Sequence, residues 1–406
     1  MNRFSDLRKA FPFFGRQKEG EERIYLDSAG TSLSLGCSIE AMEAYLNDYR
    51  ANIHSGGYRS SMQASEAYES ARREVARFID AETPEELIFT AGTTDAVNMA
   101  ANGWSRGQLG KGKAIVVTQA EHHSNFLPWR RAAQELGVPF RIIPVTEEGG
   151  IDYSKLEEII DADCGLVAVT ALSNVSGEVV DMESVIARAK ACGARVFVDG
   201  AQAAARIPLS VRKLDIDFLA FSGHKCYGTT GCGILYGKRK LLEKLPPFRL
   251  GGGMVQWVDE KKAEYASLPA RHEGGTPDIG GAVALGSALH FLRETGMEAI
   301  YRHECMLTKA CTDALAPLAG VQIIDVTSRP HCGVVSFNIE GVHPHDAVTF
   351  LDSKGIELRG GLHCAHPLHT ALHWNGSIRA SFGIYSTEEE VETLIREIKN
   401  CIRFFR

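Results

Sequence analysis

The chain has 406 residues, with 44 lysines and arginines against 51 aspartates and glutamates, and therefore a formal net charge of −7 at pH 7. This acidic balance provides no basic surface to attract a phosphate backbone, so we expect no nucleic-acid partner. No apolar stretch reaches the roughly 18 residues that a membrane span needs, and the charged N-terminus lacks the apolar segment of a signal peptide. We therefore expect no membrane partner and a cytoplasmic location. The length is typical of two to three domains of about 150 residues each.

Ten cysteines are spread along the chain, and no two of them form a C-x-x-C pair. Structural zinc sites and redox dithiols commonly use such closely spaced pairs, so we predict no metal site. In a cytoplasmic protein most of these cysteines are expected to be small buried hydrophobic residues. A chemical role for any one of them therefore has to be supported by its neighbours.

The predicted elements begin with a helix at 65–79, where apolar residues recur at helical spacing. Seven short apolar runs follow, with helical patterns between most of them. Runs of valine, isoleucine and leucine without polar alternation are typical of strands buried on both faces, and the intervening helices favour a largely parallel sheet. The predicted strands lie at 86–90, 114–119, 140–145, 164–172, 195–200, 217–223 and 232–237.

Glycine- and proline-rich segments at 246–256 and 272–281 indicate a connection to a second domain that runs to the C-terminus. This domain is predicted to close with a helix near 388–405, which has a continuous apolar face. Thr387 and Glu390 fit a capping box at the start of that helix.

Polar residues follow several of the predicted strands directly. In a parallel sheet the ligand site lies beyond the carboxyl ends of the strands, so these residues are candidates for one shared site. They are Thr93, Thr94, His122, His123, Asn174, Asp199, Gln202, Ser222, His224 and Lys225.

Lys225 ends a Ser-Gly-His-Lys tetrad just past a predicted strand. Partial desolvation there makes a lysine amine nucleophilic enough to form a Schiff base. A solvated loop lysine is the alternative when this residue is taken alone. A pyridoxal phosphate site also needs a carboxylate for the pyridinium nitrogen. Asp199 supplies one at a strand end, where a helix cap is the alternative.

Two further parts of a pyridoxal phosphate site can be identified. Gly92, Thr93 and Thr94 lie where a strand meets a helix, and the free N–H groups and the helix dipole favour a phosphate there. An ordinary N-cap is the alternative for these threonines. His123 offers a flat group over the cofactor ring, although a lone histidine after a strand is more often structural. Together, and in this order, the residues predict a pyridoxal phosphate site.

Six motifs in the chain are G-T-T at 92–94, E-H-H-x-N at 121–125, S-N-V-x-G at 173–177, V-D-G-A-Q at 198–202, S-G-H-K at 222–225 and G-G-T-P at 274–277. With them the chain resembles the class V aminotransferase family, most closely its group II (SufS-type) cysteine desulfurases. The similarity runs from Y-L-D-S-A-G at 25–30 to the C-terminal helix. It implies the α/β architecture of the fold-type I pyridoxal phosphate-dependent transferases. A large domain would contain a mostly parallel seven-stranded sheet, and a smaller C-terminal domain would be α+β.

The resemblance implies an N-terminal arm at 1–24, a large pyridoxal phosphate-binding domain at 25–270 and a small C-terminal domain at 271–406. It also implies a homodimer in which each active site is completed by the partner subunit. Lys225 would bind the cofactor covalently, Asp199 would pair with its pyridinium nitrogen, and His123 would stack on its ring. The other cofactor contacts implied are Thr93, Thr94, Asn174, Gln202, Ser222 and His224, with Thr276 reaching in from the other subunit.

The stretch E-L-R-G-G-L-H-C-A-H-P-L-H at 357–369 places Cys364 beside Arg359, His363 and His366. Nearby positive charge favours a thiolate, so this cysteine is a candidate nucleophile, with a structural cysteine as the alternative. The stretch is similar to the family's persulfide-forming loop, and S-I-R-A-S-F-G at 377–383 is similar to its substrate-carboxylate clamp. The implied catalytic residues are Lys225, Cys364 and His123, and the implied substrate-binding residues are Arg359, Arg379 and Asn174.

The activity that the resemblance implies is that of an L-cysteine desulfurase, which releases L-alanine and leaves a persulfide on Cys364. A sulfur acceptor, such as a SufE- or SufU-like carrier, would then supply iron–sulfur cluster or thiocofactor assembly. Selenocysteine lyase acting on L-selenocysteine shares the scaffold and stays open. A class V aminotransferase or epimerase without persulfide chemistry is another alternative, and a pyridoxal phosphate protein without turnover is a third.

Three positions depart from the family pattern. Leu362 lies two residues before the candidate nucleophile, where group II desulfurases usually have histidine. Ser55 follows His54 where arginine is common, and Cys226 follows Lys225 where an apolar residue is usual. The first two departures bear on the sulfur acceptor and the rate, and Cys226 is interpreted as a packing substitution.

Overall fold

Two sheets organise the chain, one of seven strands in the middle of the sequence and one of four strands near the C-terminus. The structure is a computed structural model. It describes residues 3–18, 20, 22–54, 56–108, 113–324, 326 and 328–406, without the side chains of residues 3, 5, 104–106 and 108. Ser55, one of the departures from the family pattern, lies outside the described residues.

The N-terminal segment packs across the rest of the molecule. Its elements are α1 (Arg3–Leu7), α2 (Pro12–Gly15), β1 (Ile24–Tyr25), α3 (Gly36–Asp48) and α4 (Arg59–Phe78). Phe11 is buried, and its ring meets that of Tyr385 edge to face at a centroid distance of 4.8 Å. The helix predicted at 65–79 is confirmed as part of α4, which starts earlier and buries Tyr68 and Val75.

The seven predicted strands are all present and form one sheet. They are β2 (Leu87–Thr90), β3 (Ala114–Thr118), β4 (Phe140–Ile143), β5 (Cys164–Thr170), β6 (Arg195–Asp199), β7 (Phe218–Ser222) and β8 (Gly233–Gly237). Their spatial order is β2-β8-β7-β6-β5-β3-β4. Neighbouring strands run parallel except where β8 pairs with β2 and β7. The prediction of a mostly parallel seven-stranded sheet is therefore confirmed.

Apolar layers cover both faces of this sheet, as strands buried on two sides require. Val167 and Val169 of β5 belong to one layer, and Leu166 and Ala168 to the other, and all four side chains are fully buried. The helices that connect the strands are α5 (Thr93–Gln108), α6 (His123–Leu136), α7 (Leu156–Ile159) and α8 (Met182–Ala191), and α9 (Arg239–Leu242) follows the last strand. Short 3-10 turns lie at Arg8–Ala10, Pro84–Glu86, Tyr153–Lys155, Gly223–Lys225 and Ala270–His272.

The chain leaves the large sheet through an exposed hairpin and two long helices. These elements are β9 (Val255–Val258), β10 (Ala263–Tyr265), α10 (Ile279–Thr295) and α11 (Met297–Leu315). α10 packs against α3 and α4, and its Leu285 and Leu289 belong to an apolar layer of the large sheet. The domain boundary between 270 and 271 stays a prediction, and this packing favours a boundary nearer Gly296. Among the described residues, no helix combines the length and apolar character needed to cross a membrane.

The C-terminal part is an antiparallel sheet with α11 and three further helices, which confirms the smaller α+β unit. Its elements are β11 (Val321–Ile323), β12 (Val334–Ile339), α12 (Pro344–Asp352), β13 (Ile356–Glu357), β14 (Arg359–Gly361), α13 (His366–Ala371), β15 (Ser377–Ser381) and α14 (Glu388–Phe405). The strand order is β11-β12-β15-β14, while β13 pairs in parallel with β1. The predicted final helix is confirmed as α14, and Thr387 and Glu390 form its capping box.

Gly233→Ala is expected to destabilise the large sheet. Gly233 lies in β8 between two strands, opposite Thr90 and Ser222. An added methyl group would lie 2.8 Å from the Phe221 carbonyl oxygen and closer still to the backbone of Gly92. Overpacking of this kind costs about 1–3 kcal/mol. The melting temperature in a thermal denaturation experiment should therefore fall by several degrees.

Gly107→Ala is the matched control for this experiment. Gly107 lies in α5, and among the described residues no heavy atom beyond its own helix backbone and chain neighbours is within 4 Å of the added methyl group. Its melting temperature should stay unchanged or rise, because alanine favours a helix over glycine by about 1 kcal/mol. An unchanged melting temperature in Gly233→Ala would contradict the close packing of β8 against Gly92.

Candidate active site at the strand ends

A cavity of about 220 Å³ lies at the carboxyl ends of the parallel strands. Its walls come from the residues that end or follow β5, β6 and β7, from the start of α5 and α6, and from Gly30 in the N-terminal segment. The structure therefore brings most of the predicted cofactor residues to one place. The lining residues are Gly30, Thr93, Thr94, His122, Ser124, Thr170, Asn174, Asp199, Ala201, Gln202, Ser222, His224 and Lys225.

Lys225 ends the 3-10 turn that follows β7 and lines the cavity. Burial lowers the pKa of the Lys225 ammonium to about 8, Asp199 opposes this effect, and Arg379 adds to it. An amine with this pKa is partly unprotonated near neutral pH and can attack a carbonyl carbon. Its surroundings are therefore unlike those of a solvated loop lysine.

Asp199 ends β6 and is 4 % exposed. Its Oδ1 accepts a hydrogen bond from the Ala201 N–H at 2.9 Å. Burial raises the pKa of the Asp199 carboxyl, while this hydrogen bond and the Lys225 ammonium oppose the rise. A buried carboxylate in this setting is stabilised by a cationic partner, such as a protonated ring nitrogen.

Hydroxyl groups surround the amino end of α5, which starts immediately after Gly92. Gly92 has a φ of +146°, a conformation that side chains rarely adopt. Ser222 Oγ accepts from Thr93 N at 2.8 Å and lies 2.7 Å from Thr93 Oγ1. Thr94 Oγ1 lies 2.7 Å from Ser124 Oγ. The free N–H groups and the dipole of this 16-residue helix favour an anion among these hydroxyls.

Two adjacent histidines stand at the start of α6, and their side chains take different directions. His122 is the N-cap and lines the cavity, with Nδ1 accepting from Ser124 N at 3.0 Å. Burial lowers the pKa of His122 to about 3. His123 is not among the cavity's lining residues, and its Nε2 lies 2.9 Å from His366 Nδ1. N-capping therefore places the His122 ring beside the cavity, where the ring of His123 was expected, and the stacking role given to His123 stays a prediction.

Asn174 and Gln202 are buried polar side chains with fixed orientations. Gln202 Nε2 donates to a backbone carbonyl at 2.8 Å, and Gln202 Oε1 accepts from Arg206 Nη1 at 2.7 Å. Asn174 Nδ2 donates to His363 O at 2.8 Å. Because His363 directly precedes Cys364, Asn174 joins the wall of the cavity to the loop that carries the candidate nucleophile.

Arg379 brings the small sheet to the cavity wall. It is 2 % exposed, and it donates to Asn174 O at 3.1 Å and to Asp27 Oδ1 at 3.0 Å. Burial lowers its pKa to about 10 and Asp27 opposes this, so the side chain stays cationic at neutral pH. Arg359 is exposed and donates to Asp27 Oδ2 through Nη2 at 2.8 Å and Nε at 3.0 Å. Two arginines that share one carboxylate form a suitable site for a carboxylate ligand.

Cys364 lies exposed in the loop between β14 and α13. His363 and Cys364 have φ values of +48° and +54°, a strain of about 1–3 kcal/mol each for non-glycine residues. Cys364 O accepts from the His123 N–H at 2.8 Å, and His363 Nε2 lies 3.0 Å from Ser377 Oγ. The loop is thus held in a strained conformation by contacts from both sheets.

Three residues singled out in the sequence, His224, Cys226 and Thr276, differ from one another in their surroundings. His224 Nδ1 lies 3.2 Å from Thr31 Oγ1, and burial lowers the pKa of His224 to about 4. Cys226 is fully buried, which raises the pKa of its thiol to about 12 and agrees with a packing role. Thr276 is exposed and lines a separate cleft of about 520 Å³, so its contact with another subunit stays a prediction.

Two residues beside the site had no predicted role. Asp27 holds both arginines, as described above. Glu121 is fully buried, and its carboxylate accepts from Asn125 Nδ2 at 2.7 Å and from Thr170 N at 2.9 Å. Burial raises the pKa of Glu121 to about 8, while its hydrogen bonds oppose the rise. Both residues lie inside quoted motifs, Y-L-D-S-A-G and E-H-H-x-N, so the sequence contained a signal for them.

Comparison with known proteins identifies the family. The family profile described as Aminotransferase class-V matches residues 24–394. A protein of Halalkalibacterium halodurans named probable cysteine desulfurase is 40% identical over 400 residues, which cover 98% of each chain. A probable cysteine desulfurase of Staphylococcus aureus (strain COL) is 37% identical over 401 residues, covering 99% of this chain and 97% of the relative.

Solved structures of two cysteine desulfurases have the same fold. The apo structure of the enzyme from Thermococcus onnurineus NA1 is 39% identical, with a TM-score of 0.93 and 98% of both chains covered. The S-sulfonic acid form of CsdA from Escherichia coli is 34% identical, with a TM-score of 0.91 over 100% of this chain and 99% of that one. These likenesses confirm the fold-type I architecture and the resemblance to cysteine desulfurases. The family match and the two relatives, which extend over nearly the whole sequence, show that the chain belongs to the aminotransferase class-V family.

Proposed function

We propose that the chain is a pyridoxal phosphate-dependent L-cysteine desulfurase, which converts L-cysteine into L-alanine and a persulfide on Cys364. The observation that carries the proposal is the connection between the cavity and the cysteine loop. Asn174 lines the cavity together with Lys225 and Asp199, and it donates to the carbonyl of His363 next to Cys364. The names of the relatives from Halalkalibacterium halodurans and Staphylococcus aureus support the same activity.

The residues around the cavity fit pyridoxal phosphate. When bound, this cofactor would hold the substrate through its amine nitrogen and withdraw electrons from the carbon that carries this amine. Lys225 provides the amine for the covalent link, Asp199 provides the carboxylate for the ring nitrogen, and His122 provides a flat face for the ring. The remaining contacts that we propose are Thr93, Thr94, Asn174, Gln202, Ser222 and His224, with Thr276 supplied by a second copy of the chain in a homodimer.

Arg379 and Arg359 are the proposed binding groups for the substrate carboxylate. Arg379 Nε is buried and has no hydrogen-bond partner among the described residues, so the guanidinium keeps a donor for a ligand. A carboxylate that enters the site would share or replace the contacts that Asp27 makes with both arginines. Arginine suits this role because its fork of N–H groups matches the two oxygens of a carboxylate.

Lys225 is the proposed group that moves protons at the substrate carbon. Because burial lowers its pKa to about 8, both of its protonation states are accessible near neutral pH. His122 stays neutral there, since burial lowers its pKa to about 3. Cys364 would attack the substrate sulfur as a thiolate, so that an S–S bond forms while the carbon–sulfur bond breaks. The substrate β-carbon, which keeps the electron pair of the broken bond, then takes up a proton, and the product leaves as alanine.

The exposed position of Cys364 suits delivery of the persulfide sulfur to another protein. We propose a SufE- or SufU-like carrier as the acceptor, and iron–sulfur cluster or thiocofactor assembly in the cytoplasm as the destination. A small thiol reductant would replace the carrier in an assay, because it also accepts the outer sulfur of a persulfide.

His122→Ala and His123→Ala are expected to differ in their effect on pyridoxal phosphate binding. Loss of the His122 ring removes a stacking contact of about 0.5–1.5 kcal/mol, which corresponds to an increase of up to about tenfold in the dissociation constant of pyridoxal phosphate. His123→Ala should leave that constant within about twofold. Titration of the apoprotein with the cofactor, followed by visible absorbance, measures both. A larger effect in His123→Ala would contradict the assignment of the ring contact to His122.

The proposed function is tested by measuring alanine and sulfide released from L-cysteine in the presence of a thiol reductant. The wild-type protein should release equal amounts of both, and Cys364→Ala should lose at least about a hundredfold in rate. Cys192→Ala is the matched control, since Cys192 lies at the end of α8, remote in sequence from the loop, and should stay fully active. A parallel assay with L-selenocysteine distinguishes a selenocysteine lyase. An active Cys364→Ala protein, or a wild type that yields no alanine, would refute the proposal.

A further inference from the structure

A buried ion pair lies directly behind the candidate site. Arg206 Nε lies 2.9 Å from Glu304 Oε2, and the two side chains are 3 % and 0 % exposed. Arg206 Nη2 also donates to the carbonyl of Phe382 at 3.1 Å. Burial raises the pKa of Glu304 to about 7, while Arg206 opposes the rise, so the carboxylate is mainly ionised above this pH. Neither residue has a role in the proposed reaction, and a buried ion pair is weak evidence of a contribution to stability.

The ion pair reaches the cavity through Gln202. Arg206 Nη1 donates to Gln202 Oε1 at 2.7 Å and to Gln202 O at 3.1 Å. Gln202 Nε2 donates to Ala29 O at 2.8 Å. With its oxygen held by Arg206, the amide cannot exchange its oxygen and nitrogen without losing both bonds. Gln202 therefore offers an N–H donor, and not an acceptor, to a ligand in the cavity that it lines.

The charge of Arg206 also acts on Lys225. Burial is the largest cause of the lowered pKa of Lys225, and Arg379, Arg206 and Arg359 add to it while Asp199 opposes it. The charge of Arg206 interacts with both acidic and basic neighbours, which are Glu304, Tyr227, Cys332, Tyr385, Lys225, Cys226 and Arg379. Among these groups Glu304 is the acid that is mainly ionised near pH 8, where Lys225 titrates, and its negative charge compensates that of Arg206.

The ion pair occupies space that is open because residue 333 is a glycine and has no side chain. Gly333 has a φ of +70°, and a methyl group built on it would overlap Arg206 Nε and Glu304 Oε2. Its N–H donates to Thr308 Oγ1 at 2.7 Å, which fixes its position beside α11. The pair is therefore enclosed by the fold rather than placed on a surface.

We propose that the Arg206–Glu304 ion pair is a positioning element of the candidate site, which holds the Gln202 amide with its N–H toward the cavity and sets the cationic field at Lys225. The proposal extends the proposed function, since it assigns these residues to the site of the same reaction. They act through Gln202 and Lys225 and are positioning residues, not catalytic ones.

The field is tested on the apoprotein, without cofactor or substrate. The rate of acetylation of Lys225 by acetic anhydride, followed by peptide mass spectrometry between pH 6 and 10, reports the midpoint of its titration. The wild-type midpoint should lie near 8, where burial places the pKa of Lys225. Glu304→Gln leaves the charge of Arg206 uncompensated and should lower the midpoint by about one pH unit. Arg206→Met should raise it, and the double variant R206M/E304Q should stay closer to wild type than either single variant.

Glu304→Gln and Arg206→Met are expected to shift the Lys225 midpoint in opposite directions. A general loss of structure would shift both midpoints in the same direction, so opposite shifts indicate an electrostatic effect. Arg206→Lys provides the second readout, because lysine keeps the charge but lacks the two-pronged contact with Gln202. It should keep the midpoint near that of wild type and weaken pyridoxal phosphate binding about tenfold. Shifts in the same direction, or none in folded Glu304→Gln, would overturn the proposal. Because the acetylation needs no turnover, this result is independent of whether L-cysteine is the substrate.

Discussion

The burial of a lysine ammonium among other cations is the constraint on which the candidate site depends. Burial lowers the pKa of Lys225, Asp199 opposes the effect, and Arg379 and Arg206 strengthen it. A charged amine in these surroundings is costly, so Lys225 is balanced between its charged and its neutral form. The parallel sheet makes this balance possible, since it delivers Asp199 and Lys225 to one edge from neighbouring strands.

The second sheet completes the site from the opposite end of the sequence. Arg379 reaches the cavity wall from β15, and it contacts both Asn174 and Asp27. Asp27 lies beside Ser381 in an isolated bridge, which ties the N-terminal segment to the same strand. The carboxylate-binding half of the site therefore exists only when three distant parts of the chain have packed together. The loop that carries Cys364 also depends on this long-range packing, because Asn174, which follows β5 of the large sheet, holds the residue before Cys364.

The seven strands could be predicted from the sequence because each is a short apolar run, and five of them end in a polar residue. The choice between His122 and His123 could not, since adjacent residues in one motif differ only in which of them caps α6. Helical spacing likewise did not show that α10 packs with the large domain, because its partners α3 and α4 are far away in sequence. Arg206 and Glu304 lie far apart in the sequence, and only the fold brings them together and buries them.

The central claim is that Cys364 receives sulfur from a substrate activated at Lys225, and the location of that sulfur tests it most directly. The holoenzyme would be mixed with L-cysteine without reductant for a single turnover, alkylated and mapped by peptide mass spectrometry. One additional sulfur atom on the peptide that contains Cys364, matched by an equal amount of alanine and absent from Lys225→Ala, is the predicted result. Alanine formed without sulfur on Cys364, or sulfur distributed over the other cysteines, would contradict the account.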